Sequence, residues 1–234
     1  MVIYMDNIIK SLEKNLFNII RTVIVFLIYY YLPTIFALII KSFGIKINYN
    51  MAIVYSLLIS ALIAIILIII YWNDLVREFK TYFKNFSTNI DCGVRYWFIG
   101  LIIMCVSNLI LNFIIGSGGP ENEQSVQEMI NSLPLVSLLY AGVVAPINEE
   151  LVFRKSLRDV FSNKWAFAIA SFLVFGYAHV SGTEGLQLLY IIPYGALGGA
   201  FALAYDESNT VFTSMFMHMF HNIVLTLISI LFII

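Results

Sequence analysis

The chain has 234 residues, 61% of them hydrophobic and only 12% charged. Soluble domains run at about 45–50% apolar and about 25% charged, so this balance excludes an ordinary soluble domain and points to a polytopic membrane protein. The net charge of −1 offers nucleic acid no electrostatic handle, and the expected surroundings are the lipid bilayer.

The N-terminal stretch carries Lys10, Lys14 and Arg21 ahead of a long apolar run. That run is too long for a signal-peptide core and lacks a small-residue cleavage site, so it reads as a retained first span. A span needs about 20 mostly apolar residues. Seven windows qualify, near 20–40, 51–71, 95–115, 133–153, 165–181, 186–205 and 210–234, the fifth somewhat short. Each must be helical, because a lone strand leaves its backbone groups unpaired in lipid. The alternation of barrel strands is absent. The expected fold is an all-α membrane bundle of about seven helices forming one domain. Residues 1–132 supply its N-terminal helices and 133–234 its motif-bearing ones.

Lysine and arginine set the orientation. Lys10, Lys14 and Arg21 precede span one; Arg77, Lys80, Lys84 and Arg95 follow span two; Arg154, Lys155, Arg158 and Lys164 follow span four. All three clusters share one side if the N-terminus is cytoplasmic, with only Lys41 and Lys46 outside. The loop GSGGPENEQSVQE has neither residue and is expected outside. In the connector near 72–90, WNDLVREFKTYFKNF places Leu75, Val76, Phe79, Phe83 and Phe86 among Arg77, Lys80 and Lys84. It reads either as an amphipathic helix on the inner leaflet or as a solvated link. Cys92 and Cys105 have no pairing or metal spacing. Asn108 and Asn112, four apart, either glue helices together or line a cavity; Gly195 and Gly199 mark close helix contact.

Ionisable residues inside apolar helices mark a functional site by default. The run LPLVSLLYAGVVAPI ends in Glu149 and Glu150, and Arg154 follows. Glu150 and Arg154 have the favourable i,i+4 order for an ion pair, which makes Glu150 a brace. Glu149, rotated by about 100°, faces elsewhere and is free to take a proton from water. The competing reading makes both glutamates interface charges. All three histidines, His179, His218 and His221, sit in or at the edge of apolar helices. His218 and Asn222 share a face and can donate to a developing oxyanion. His218 and His221, three apart, can alternatively chelate a metal, and interhelical hydrogen bonding is the plain alternative to both.

Glu149-Glu150-Leu-Val-Phe-Arg154, Phe175-Gly-Tyr-Ala-His179 and His218-Met-Phe-His221-Asn222, in this order, resemble the EExxxR, FxxxH and HxxxN motifs of the CPBP family. That family comprises CAAX prenyl endopeptidases and bacteriocin-processing or self-immunity (Abi) proteins. The resemblance spans about residues 133–230 and implies an intramembrane protease acting on a membrane-associated peptide or protein. Carried over by position, Glu149 and His179 activate water, His218 and Asn222 stabilise the oxyanion, and Glu150 with Arg154 gives structural support. His221 falls on a variable position and receives no role. The short chain resembles the bacterial members linked to bacteriocin maturation, self-immunity or peptide signalling. The family's metalloprotease label raises zinc or another divalent cation on Glu149, His179 and His218. No HExxH is present, and asparagine suits an oxyanion better than zinc, so a metal-free scheme is favoured. A non-catalytic immunity or scaffold protein is the alternative; a proton-coupled transporter is weaker, for want of an internal repeat.

Depth is the difficulty. His179 lies about 21 Å up a straight helix from Trp165, whereas Glu149 closely precedes the basic cluster. A bend at Pro146, a tilt, or a fourth span reaching about residue 160 reconciles them. The cavity is expected between spans four, five and seven, open towards the cytoplasm.

Overall fold

The computed structural model describes residues 2–116 and 121–232, with side chains for 12–116 and 122–232. Residues 117–120 of the loop expected outside, and the Lys10 side chain, lie outside the described residues. Among the described residues there is no strand. The helices are α1 (Val2–Ser42), α2 (Tyr49–Ile70), α3 (Trp72–Lys84), α4 (Phe86–Ile115), α5 (Glu121–Ser132), α6 (Pro134–Val160), α7 (Lys164–Val180), α8 (Ile191–Ser208) and α9 (Val211–Phe232). A 3₁₀ turn, Gly185–Tyr190, leads into α8. Six segments are long and apolar enough to cross a membrane, and α7 is a shorter apolar helix beside them. The all-α membrane bundle is borne out, with the short fifth span as the one below full length.

Packing is inside out relative to a soluble protein. Large apolar side chains cover the outside, as at Phe113 (91% exposed) and Leu109 (71%). Glu78, Glu150, Arg154, Lys155, His218 and His221 are buried. Lipid makes this arrangement favourable, since apolar groups cost nothing there and charges do. α8 is the most enclosed span and packs on α7 and α4. Its small residues allow the approach: a Cβ on Gly198 would lie 3.0 Å from the Ser171 carbonyl oxygen, and Ser171 Oγ donates to the Gly198 carbonyl at 3.0 Å. Gly195 is equally tight against Phe172, whereas Gly199 has ordinary contacts. Close helix contact is therefore as expected, and the tightest backbone approach of α7 to α8 is at Gly176, where a Cβ would lie 2.6 Å from the Ile191 carbonyl oxygen.

Local chemistry sets the helix ends. Asn48 caps α2 by accepting from Met51 N, and Asn163 caps α7 by accepting from Trp165 N and Ala166 N. Asn209, at φ 54°, ends α8 in the left-handed region.

α6 runs unbroken to Val160, which resolves the depth difficulty by the longer fourth span. Two stretches, Tyr140–Val144 and Leu151–Lys155, are π-helical. The first lies just ahead of Pro146, whose ring would crowd the Gly142 carbonyl in a regular helix. Widening the turn relieves that crowding, and Ala145 N pairs with the Tyr140 carbonyl five residues back.

The basic end of α6 is pinned by charge. Lys155 Nζ lies 3.2 Å from Glu78, 3.1 Å from Asp159 and 3.5 Å from Asp74. Arg21 on α1 pairs with both Asp159 and Asp74. α3 thus turns Leu75, Glu78 and Tyr82 inward and leaves Trp72, Phe79 and Phe83 outside. Burial alone would raise the Asp74 carboxyl, but Lys155, Arg77 and Arg21 outweigh it and hold Asp74 below its ordinary value. A depressed carboxyl stabilises the fold above its unfolded pKa, about 3.9, and that contribution is lost as pH falls through the folded value. Thermal unfolding in detergent should therefore show a loss of stability below about pH 4 that is smaller in Asp74→Asn. Parallel pH profiles for the two proteins would overturn this.

Candidate active site

The residues singled out in the sequence come from three separate segments of chain. α6 presents Glu149, Glu150 and Arg154; the end of α7 presents His179; α9 presents His218, His221 and Asn222. Glu149, His179, His218, His221 and Asn222 line one cavity of about 300 Å³. Asn108 and Tyr194 join them, as do Asn122 and Glu123 of α5. The cavity therefore extends toward the α5 end of the bundle, not toward the end carrying Lys155 and Arg158.

Glu150 and Arg154 form the expected i,i+4 ion pair, with Oε1 3.3 Å from Nη1 and both side chains fully buried. Arg154 makes no well-directed hydrogen bond among the described residues. Its charge is met by Glu150 and by the faces of Phe175, 4.2 Å away, and Phe201, 5.7 Å away. Phe175 is the first residue of the FxxxH motif, so that aromatic position holds the arginine.

Glu150 does more than brace. Its Oε1 lies 2.9 Å from His218 Nδ1, and Nε2 on the far edge of that ring lies 3.5 Å from Glu149 Oε2. The helical rotation between the glutamates was expected to send them apart. Instead one imidazole, with nitrogens on opposite edges, bridges both. Glu149 is thus partnered by a residue of another helix, which spacing within α6 has no means of revealing.

His179 is held differently. Its Nδ1 bonds the Phe175 carbonyl at 2.9 Å, which leaves Nε2 as the acceptor of the neutral ring. The ring stacks on Tyr194 at 4.6 Å. Phe175 touches both His179 (4.3 Å) and His218 (5.7 Å). Among the described residues Glu149 makes no hydrogen bond to His179; the two share the cavity and leave room between them.

Asn222 Nδ2 donates to the Ala141 carbonyl at 2.9 Å. Ala141 lies in the first π-turn, where pairing is displaced by one residue and a carbonyl is released for a side-chain donor. Pro146 and Asn222 are linked in this way: the proline calls for the widened turn, and the turn supplies the anchor. Asn112 accepts from Tyr190 Oη at 2.9 Å and so glues α4 to the 3₁₀ turn, whereas Asn108 faces the cavity. The two alternatives for this pair are each realised once.

Glu149, His179 and His218, the side chains named for a divalent cation, all line the cavity. Among the described residues no three histidine, cysteine or acidic side chains converge as a metal site requires. Both ring nitrogens of His218 already face carboxylates.

Sequence reasoning missed Tyr194 under His179, the α5 contribution to the cavity, and the Trp97 indole N–H, which donates to His221 Nδ1 at 3.3 Å. None leaves a local pattern, since each contact joins segments far apart in the chain.

Comparison with known proteins agrees with the resemblance carried by the motifs. Residues 131–224 match the family of Type II CAAX prenyl endopeptidase Rce1-like proteins. A Bacillus subtilis (strain 168) protein with the name "Putative membrane peptidase YdiL" is 27% identical over 142 residues, 59% of this chain and 55% of that protein. The Lactococcus lactis UPF0177 protein YxdF is 24% identical over 164 residues, 67% of this chain and 86% of that one. A Mycoplasma capricolum protein is 29% identical over 189 residues, 73% of this chain and 54% of that one. The matched part thus spans little more than half the length of the Bacillus and Mycoplasma relatives. No solved structure matches. The matched segment contains all three motifs, from the last residues of α5 to residue 224 in α9.

Proposed function

We propose that this multi-pass protein, similar over residues 131–224 to the Rce1-like endopeptidases, hydrolyses a peptide bond of a membrane-associated peptide or protein. Its place is the cell membrane, with the N-terminus in the cytoplasm. The observation that carries the reading is the meeting of Glu149, His179, His218 and Asn222 in one cavity.

Water held between Glu149 and the free Nε2 of His179 attacks the scissile carbonyl carbon, and its proton passes to Glu149. The oxygen of that carbonyl becomes an oxyanion. Asn222, fixed through Ala141, turns its second amide N–H to it. His218, oriented by Glu150 through Nδ1, turns its Nε2 edge to the same oxygen. When the C–N bond breaks, the proton on Glu149 moves to the leaving amine. Glu150 and Arg154 hold the histidine; they do not react. No step calls for a metal.

The test compares released peptides and new protein N-termini from host cells expressing the wild type or Glu149→Gln at matched membrane levels. A product seen only with the wild type, lost by about 100-fold or more in the variant, is expected. Identical profiles, with both proteins still supporting a phenotype, would overturn catalysis and favour an immunity or scaffold protein.

A further inference from the structure

α9 brings three polar side chains to the cavity, and the site assigns work to two of them. His218 has carboxylates at both ring nitrogens, 2.9 Å and 3.5 Å away. Asn222 has already committed one amide N–H to Ala141. The third, His221, is 6% exposed, lines the same cavity, and takes no part in the scheme above.

Its environment determines which nitrogen carries the proton. The Trp97 indole N–H on α4 is a donor only, and it points at His221 Nδ1 at 3.3 Å. Nδ1 must therefore accept. A neutral imidazole that accepts at Nδ1 carries its proton on Nε2. His221 lines the cavity, and with Nδ1 taken by Trp97, Nε2 is the ring nitrogen left to serve it. Trp97 is itself held edge to face by Phe220 at 5.3 Å, so the donor is braced.

We infer that His221 is a further catalytic residue of this site: its Nε2–H donates a hydrogen bond to the substrate carbonyl oxygen as that oxygen becomes negative. Trp97 is the positioning residue that keeps the proton on Nε2. His221 neither gains nor loses a proton; its N–H bond turns from cavity water to the oxyanion. Together with Asn222 it supplies a pair of neutral donors from adjacent positions on α9. This inference rests on the proteolytic reading and adds a group to it.

The experiment uses full-length protein in liposomes and a peptide spanning the cleavage site found in the cell comparison. His221→Phe should lower kcat by about 100-fold, the usual cost of one oxyanion donor, with KM changed far less. His221→Gln, which keeps an N–H donor, should recover part of that loss. Trp97→Phe should cost less than His221→Phe, because it frees the tautomer without removing the ring. Nitrogen-15 spectra of histidine-labelled protein should show His221 protonated on Nε2 in the wild type and mixed in Trp97→Phe; packing alone would not produce this pattern. Wild-type kcat in His221→Phe, or a proton on Nδ1, would overturn the inference. If cleavage still depends on Glu149 while His221→Phe is unimpaired, only the role of His221 falls. If Glu149→Gln cleaves like the wild type, the proteolytic reading falls, and the role of His221 falls with it.

Discussion

Glu150→Ala should unfold this protein more readily than any substitution on its lipid-facing surface. Arg154 is fully buried, and its only carboxylate partner within ion-pair distance among the described residues is Glu150. Removing one member of such a pair leaves an uncompensated charge and costs about 3–5 kcal/mol. His218 also loses the acceptor for Nδ1, so hydrolysis should vanish together with stability. Glu150→Gln separates the two effects. The amide still accepts from His218 but no longer neutralises Arg154, so it should still melt well below wild type. Replacing both partners, Glu150→Leu with Arg154→Met, should regain much of the lost stability, because apolar replacements of a buried pair are often neutral. It should not regain activity, since nothing then orients His218. Thermal unfolding in detergent, read beside peptide hydrolysis, checks all three. A Glu150→Ala protein that melts with wild type would show that the pair is not structural.

The second large effect is expected outside the matched segment, 53 residues ahead of its start, at Glu78 on the connector helix. Its carboxylate takes Lys155 at 3.2 Å and the Tyr205 hydroxyl at 3.1 Å on Oε1, and the Val211 backbone N–H at 2.8 Å on Oε2. Thr210 Oγ1 adds a bond to the Glu78 carbonyl at 3.0 Å. One side chain therefore joins α6, one residue past Arg154, to the first turn of α9, which carries His218 and Asn222. Glu78→Ala leaves Lys155, which is 2% exposed, with Asp159 and Asp74 alone, and uncaps α9. Loss of the charged hydrogen bond and of the cap together should cost about 2–4 kcal/mol. Glu78→Gln keeps an acceptor for Val211 N–H and should be milder by about 1 kcal/mol, the usual worth of a cap. Equal melting of Glu78→Ala and Glu78→Gln would remove the capping contribution from this account.

Much of the fold follows from hydropathy. Windows of about 20 apolar residues have one stable form in lipid, so the apolar helices and their approximate bounds were legible, and their number only approximately. The fourth span was read too short, ending at 153 where the helix continues to Val160. Its last residues are basic, and a hydropathy window stops at charge. In the structure that charge is buried against α1 and α3, so the helix has no need to end there.

The residues of the candidate site were legible for a related reason. A carboxylate or histidine inside an apolar helix is costly enough to stand out singly. The i,i+4 spacing of Glu150 and Arg154 was sufficient to pair them, because both lie on one helix. What sequence determined about this protein is thus its solvent, its helices, and which few polar groups they bury. Tertiary structure alone decided how those groups pair across helices: His218 between two glutamates, Asn222 on the carbonyl released by a π-turn, His221 under Trp97, and the cavity toward α5. The reason is that periodicity reports the face a residue occupies on its own helix, whereas hydrogen-bond partners depend on the rotation and depth of the neighbouring helix, which only packing sets.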